Sequence, residues 1–99
     1  MKLSYVYILK CSDESYYAGV TTNLEKRFVQ HQQGFYKESY TYRRRPLTIV
    51  FYASFTDINI AIENEKQIKK WSRAKKQALI HDEYEALPNL AKKKFRIKK

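Results

Sequence analysis

Tyr7 and Tyr17 stand ten residues apart, in the strings Tyr5-Val6-Tyr7 and Tyr17-Ala18-Gly19. Arg27 and His31 follow at a helical spacing, and an acid, Glu65, comes much later. Phenols, a guanidinium, an imidazole and a carboxylate are sufficient to cut a phosphodiester. A phenol has an ordinary pKa of about 10, so it needs a cation or a metal beside it to take a proton near neutrality. The arginine fork matches phosphate oxygens bidentately and neutralises charge that builds at phosphorus. An imidazole with a near-neutral pKa suits proton transfer or orientation of a water. Each residue also has an ordinary explanation. Tyrosines favour half-buried strands, and arginines and histidines on helices commonly face solvent. The order and spacing carry the case, not any single residue. His81 and Cys11 are assigned no role.

The elements that must hold these groups can be read from pattern. Residues 3–10 alternate, with Leu3, Tyr5, Tyr7 and Leu9 on one face and Val6 and Ile8 on the other, as in a strand covered on both sides. The polar run 11–15 reads as a hairpin loop, and 16–20 as the returning strand, with Gly19 allowing close backbone approach. Such a loop opposes Lys10 to Tyr16, Leu9 to Tyr17 and Tyr7 to Gly19. Tyr7 and Tyr17 then become diagonal neighbours on one face, ~7–8 Å apart between backbones. A one-residue change in the loop would send one of them to the other face.

Thr22 and Glu25 form a capping-box pattern that opens a helix, with Thr22 as N-cap. The helix runs to about Gln33 and is stopped by Gly34. Leu24 and Phe28 make its buried stripe, and Arg27 and His31 a second i, i+4 pair on the flank of that stripe. After a polar, aromatic and basic loop over 35–46, residues 47–55 read as a third strand. Leu47, Ile49, Phe51, Ala53 and Phe55 share one face and Val50 and Tyr52 the other, with the strand's direction left open. Asp57 or Asn59 caps a helix over about 60–71 with Ile60, Ala61, Ile68 and Trp71 inward. Ser72 opens another, with Ala74, Ala78, Leu79 and Ile80 as its apolar set. Glu65 lies between Ala61 and Ile68 on the inward border, whereas Glu63 lies about 160° further round. A carboxylate on an apolar border is costly unless paired or metal-bound. Glu65 is therefore the Mg²⁺ ligand candidate.

At 99 residues the chain is one domain, and its 43 % apolar and 15 % aromatic share suit a folded core. Twenty Lys and Arg against ten Asp and Glu leave a net charge of +10, which favours a polyanionic partner. Tyr40, Arg43, Arg44, Arg45, Lys66, Lys69, Lys70, Arg73, Lys75 and Lys76 could follow a nucleic-acid backbone; the bland alternative is a solvated basic surface. One cysteine excludes an intrachain disulfide and a cysteine-based zinc site. With no apolar run near 18 residues, the expectation is a cytoplasmic protein without a membrane partner or small-molecule cofactor, a monomer or weak dimer.

These stretches carry a likeness. Residues 5–11, 16–27 and His31, followed by Tyr40-Thr41, Arg44-Arg45-Pro46 and 65–76, resemble in order the GIY-YIG nuclease superfamily, most closely its small single-domain bacterial branch. The resemblance covers residues 3–81. It implies an α+β fold in the order β-β-α-β-α-α, with a three-stranded antiparallel sheet flanked by helices. A nuclease domain would then occupy 1–83, followed by a basic, flexible tail over 84–99. It further implies Tyr7 and Tyr17 as the motif tyrosines, Arg27 and His31 as the helix pair, and Glu65 as ligand of a single Mg²⁺ (or Mn²⁺). In that scheme Tyr7 helps deprotonate the attacking water and Arg27 stabilises charge at phosphorus. Tyr5 stands where the motif's name has Gly, Ala18 where it has Ile, and Val20 where some repair-associated members have Lys. The expected activity is Mg²⁺-dependent hydrolysis of phosphodiesters in DNA, branched or damaged DNA included. RNA is a second possible substrate, and the alternative is a non-catalytic DNA- or RNA-binding module.

Overall fold

Strand β1 (Ser4–Lys10) has large apolar side chains on both faces, and it becomes the middle strand of the sheet. β2 (Tyr16–Thr21) returns antiparallel along one side, and β3 (Thr48–Phe55) lies antiparallel along the other, giving the order β2-β1-β3. The computed structural model describes residues 2–81. Three helices complete an α+β fold in the expected order: α1 (Leu24–Gln32), α2 (Ile58–Lys70) and α3 (Arg73–Ile80). The expected tail over 84–99, with its boundary at 83, lies outside the described residues.

The hairpin register is the one the loop length implies, with Lys10 opposite Tyr16, Leu9 opposite Tyr17 and Tyr7 opposite Gly19. On one face of the sheet Val6, Ile8, Phe51, Ala53 and Phe55 meet Ala61 and Ile68 of α2 and Ala78 and Leu79 of α3. On the other, Tyr7, Leu9, Cys11 and Leu47 pack with Tyr17, Ile49 and Tyr52 and with Leu24 and Phe28 of α1. The sheet is thus covered on both sides. Val6, Ile8, Leu9, Ile68 and Leu79 are all at 0 % exposure. Truncating Ile8, Leu9, Ile68 or Leu79 to Ala should cost about 2–5 kcal/mol.

Four expectations are corrected. The N-cap of α1 is Asn23, whose Oδ1 accepts from Lys26 N at 3.0 Å, and not Thr22. β2 pairs with Tyr5 as far as Thr21, and Thr21 Oγ1 accepts from Asn23 N at 3.1 Å, which delays the helix by one residue. β3 does not keep one alternating face. A bulge between the Ile8–Phe51 and Leu9–Ile49 pairs inserts Val50, so Leu47 and Ile49 face α1 while Phe51, Ala53 and Phe55 face α2. Asp57 caps α2, its Oδ1 accepting from Asn59 N at 2.8 Å, and the buried stripe is Ala61, Asn64, Glu65 and Ile68. Ile60 falls outside that stripe and is 40 % exposed. In α3 the N-cap is Ser72, but Ala74, in the first turn, is exposed.

α1 ends where Gln33 gives way to Gly34, whose φ of 74° returns its N–H to His31 O at 3.1 Å. The loop that follows carries Arg45, which donates to Tyr42 O at 2.8 Å and to Gln32 O at 3.2 Å. That loop is thereby tied to the end of α1, next to His31.

Candidate active site

β2 is an edge strand, so side chains from both faces of the sheet can meet around it. On the α1 face, the Tyr7 phenol crosses over Gly19. A Cβ built at Gly19 would stand 2.5 Å from the ring carbon that bears the hydroxyl, so any side chain there displaces the ring. The Tyr7 hydroxyl reaches His31 Nε2 at 3.2 Å, and His31 Nδ1 reaches Thr41 Oγ1 at 2.9 Å. Thr41 Oγ1 in turn lies 3.1 Å from Ser39 Oγ. Tyr7 and Thr41 are 1 % exposed and His31 3 %, so this chain of hydrogen bonds is dry.

Burial dominates the electrostatics. It pushes the Tyr7 phenol up to about 12, with Tyr17 adding to the rise and the Arg27 guanidinium pulling the other way. It lowers His31 below the ordinary imidazole value, and Arg27 lowers it further, so His31 is neutral at physiological pH. A neutral imidazole has one N–H. Either Nδ1–H donates to Thr41 and Nε2 accepts from Tyr7, or the two roles are reversed.

Tyr17 stacks edge-on to His31, with ring centroids 5.4 Å apart, and lies near-parallel to Tyr40 at 6.3 Å. Tyr36 packs on His31 at 5.1 Å, with the Arg27 guanidinium 5.6 Å from its ring centre. A cleft of about 530 Å³ opens among Tyr17, Arg27, His31, Tyr36 and Tyr40. Tyr7 does not line this cleft; it lies buried behind His31, joined to it by the Tyr7 hydroxyl–Nε2 hydrogen bond.

Glu65 comes from α2, on the other face. At 8 % exposure it is the one buried acid among the described residues, and Glu63 is exposed. Its Oε2 binds Lys69 Nζ at 2.6 Å, and that ammonium lies 5.9 Å from the centre of the Tyr17 ring. Glu65 does not line the cleft; it stands apart from Arg27 and His31, linked to Tyr17 only through Lys69. Beside it, Asn64 Oδ1 is buried without a hydrogen-bond partner, although its amide donates to Ile60 O at 2.8 Å.

The basic residues divide by what they already touch. The Arg44 guanidinium covers Tyr40 at 3.8 Å, donates to Tyr40 O at 2.8 Å and pairs with Asp13 at 3.0 Å, so it braces the loop against the hairpin. Arg45 is held by two backbone carbonyls, Gln32 O at the end of α1 and Tyr42 O within the loop. Arg73 binds Glu14 O and covers Tyr16 at 4.6 Å. Lys75 lies over Trp71, and burial lowers the pKa of Lys76. Arg43, Lys66 and Lys70 are exposed, and Tyr40 is 44 % exposed at the cleft's lip. Lys69, grouped by sequence with the surface cations, is instead the partner of Glu65. Sequence reasoning gave no part to Thr41 or Tyr36. Thr41 stands only within the Tyr40-Thr41 string of the likeness, without a role, and no local pattern marks Tyr36, because the 35–41 loop brings both to His31 only through tertiary folding.

A dry tyrosine–histidine pair beside an arginine, on a three-stranded sheet with a helical carboxylate at its edge, defines a class of protein. Residues 3–78 match the GIY-YIG catalytic domain, and the chain belongs to that family. The domain is of nuclease type. Its relatives sharpen the placement. The chain is 45 % identical over 80 residues to a UPF0213 protein of Syntrophus aciditrophicus, covering 81 % of this chain and 92 % of that one. It is 40 % identical over 82 residues to a UPF0213 protein of Staphylococcus haemolyticus, covering 83 % and 99 %. The solution NMR structure of a UPF0213 protein from Bacillus halodurans superposes with a TM-score of 0.53 at 37 % identity, over 80 % of this chain and 83 % of that one.

GIY-YIG nucleases are typically metal-dependent, and the residues present suit a hard cation. Among the described residues no three His, Cys, Asp or Glu side chains cluster as they would in a protein-only cage. Mg²⁺ needs no cage, since it is held by one or two carboxylates together with water and substrate phosphate. Glu65 offers such a carboxylate, and the Lys69 ammonium beside it marks a place where positive charge is already accommodated. No helix among the described residues is long and apolar enough to cross a membrane.

Proposed function

We propose that the chain is a Mg²⁺-dependent endonuclease that hydrolyses phosphodiesters in DNA, branched or damaged DNA included, with Tyr7, Tyr17, Arg27, His31 and Glu65 as its working residues. The observation that carries this reading is the buried Tyr7–His31 contact, 3.2 Å long, whose histidine lines a cleft together with Arg27. A phenol with a pKa of about 12 is a poor base by itself. Coupled to a neutral imidazole it need not ionise. Tyr7 is closed off in this structure, so substrate binding must first admit the attacking water to its oxygen. As that oxygen takes the water's proton, its own proton passes to His31 Nε2, and the imidazolium so formed holds Nδ1–H against Thr41 Oγ1. Of the two tautomers, the one with Nδ1–H is the productive one.

Arg27 neutralises charge at the phosphorus oxygens as it builds. Tyr17 walls the cleft and keeps His31 in place by ring contact. Glu65 would hold a single Mg²⁺ (or Mn²⁺), which when bound supplies Lewis-acid stabilisation of the leaving oxygen. Lys69 must then give up its pairing with Glu65. Tyr40, on the lip, offers a face on which a base can stack. Of the basic residues named from sequence, Arg43, Lys66 and Lys70 are exposed and available to a nucleic-acid backbone, although none of them lines the cleft. The second reading, a DNA- or RNA-binding module that does not cut, draws support from the Glu65–Lys69 pair, which already satisfies the carboxylate.

The test is cleavage of supercoiled, branched and single-stranded DNA in Mg²⁺ by wild type, Glu65→Ala and Tyr7→Phe. The nuclease reading expects cutting by wild type and its loss in both variants. Binding without cutting, in any divalent metal, would establish the second reading instead. Cutting that persists in Glu65→Ala would overturn the assignment of Glu65.

A further inference from the structure

The cleft does not end at Arg27. Beyond that residue a polar depression of about 450 Å³ is lined by Lys2, Thr22, Lys26 and Gln30, and it shares Arg27 and Tyr36 with the first. Shared walls make the two depressions neighbours on either side of Arg27 and Tyr36, at the start of α1.

The cleft itself is lined by both Lys37 and Glu38, but the charge of the second depression is one-sided. Lys2, Lys26 and Arg27 all line it, and no acid does. The ion pairs among the described residues join Lys10 to Glu14, Arg44 to Asp13 and Lys69 to Glu65, so none of them involves these three cations. Glu25, the nearest acid in sequence, lines a different depression with Tyr5 and Tyr52. Like charges gathered around one hollow repel one another, and an anion seated there removes that cost. The polar groups point the same way. Gln30 Oε1 accepts from the Tyr36 hydroxyl at 2.6 Å, which leaves its amide N–H groups as the end able to donate. Charge from side chains makes the site, not the end of the helix, where Asn23 already takes Lys26 N.

We infer that this depression holds a second phosphate of the bound strand, the phosphodiester next to the one in the cleft. Lys26 and Lys2 supply its counter-charge, and Arg27 lies between the two. The inference rests on the reading of the cleft as a nucleic-acid site and extends it, because it sets the path of the strand across the start of α1. A free terminal phosphate has the same chemistry, but a depression that adjoins the cleft across Arg27 suits the next phosphate of a strand already seated there.

The test is a phosphate walk that needs no cleavage. Short oligonucleotides, each with one neutral methylphosphonate at a successive position, are bound in EDTA to full chains carrying Glu65→Ala. They are then bound to the same chain with Lys26→Ala or Arg27→Ala added. One position should weaken binding roughly five- to tenfold in the parent and have no effect once Lys26 is removed. That position should adjoin the one coupled to Arg27. Lys26 is exposed, so its loss leaves the fold intact, and Lys2→Ala should couple to the same position. If no methylphosphonate position depends on Lys26, whether binding falls uniformly or not at all, the inference is wrong and the nuclease reading stands. If the coupling is present and wild type never cuts DNA, the nuclease reading falls and the phosphate site remains. Coupling confined to a 5′ or 3′ terminal phosphate would replace a strand path with an end-binding site and overturn the inference.

Discussion

The two faces of the sheet are built from the same three strands and do opposite things. The face toward α2 and α3 is closed by Val6, Ile8, Phe51, Ala53 and Ile68, all aliphatic or aromatic. The face toward α1 buries a phenol, an imidazole and a threonine hydroxyl linked in a row, Tyr7 to His31 to Thr41, and the row ends on the half-buried Ser39. Dry packing on the first face gives rigidity. On the second, the same dryness shifts pKa values and fixes the hydrogen-bond partners. One strand, β1, serves both, because successive residues point to opposite sides.

The comparison breaks if one face can be altered without sparing the other. The largest expected effect is on the reactive face. Tyr7→Phe keeps the ring and its packing, and should lower the single-turnover cleavage rate by about 10²–10⁴-fold with little change in melting temperature. Leu79→Ala, on the other face, should do the reverse. It costs about 2–5 kcal/mol in chemical denaturation, while the rate per folded molecule is unchanged. A stability loss in Tyr7→Phe as large as that of Leu79→Ala would make Tyr7 a core residue.

Gly19→Ala sharpens the contrast by geometry alone. Its Cβ forces the Tyr7 ring off its place over β2, with an expected cost of about 1–3 kcal/mol and a rate loss approaching that of Tyr7→Phe. Smaller again is the alkaline effect. In the unfolded chain Tyr7 ionises near pH 10, whereas in the fold it holds its proton to about 12. Above pH 10 the unfolded state releases a proton that the folded state keeps, so stability falls as pH rises. That shift corresponds to about 2–3 kcal/mol, and Tyr7→Phe should lack this part of the decline in denaturation curves taken from pH 9 to 11.5. Thr41→Val should cost about 1–3 kcal/mol by leaving His31 Nδ1 unpaired, with a measurable fall in rate because the productive tautomer is no longer selected.

Much of this was legible in the chain. The hairpin register followed from a five-residue polar loop and the glycine at 19, and it placed both phenols on one face. The α2 stripe singled out Glu65 over Glu63, because helical periodicity separates them by almost half a turn. Other features were hidden for physical reasons. The β3 bulge cannot be seen in a segment where residues 47, 49, 51, 53 and 55 are all apolar, since only pairing with β1 reveals the extra residue. Thr22 offers a valid cap, but the strand's last pairs carry the chain one residue past it to Asn23. Thr41 and Tyr36 depend on where a twelve-residue loop folds back, which no local pattern encodes.

The most direct test of the Tyr7–His31 relay is the pH dependence of single-turnover plasmid cleavage in saturating Mg²⁺. His31 faces Tyr7, Tyr17, Tyr36 and the cation of Arg27, and burial with that cation holds its pKa below the ordinary imidazole value. Wild type should therefore lose activity on the acid side only below that value, as His31 takes up a proton and can no longer accept one from Tyr7. His31→Gln should be slower throughout and lack this limb. An acid limb that survives unchanged in His31→Gln would contradict the relay.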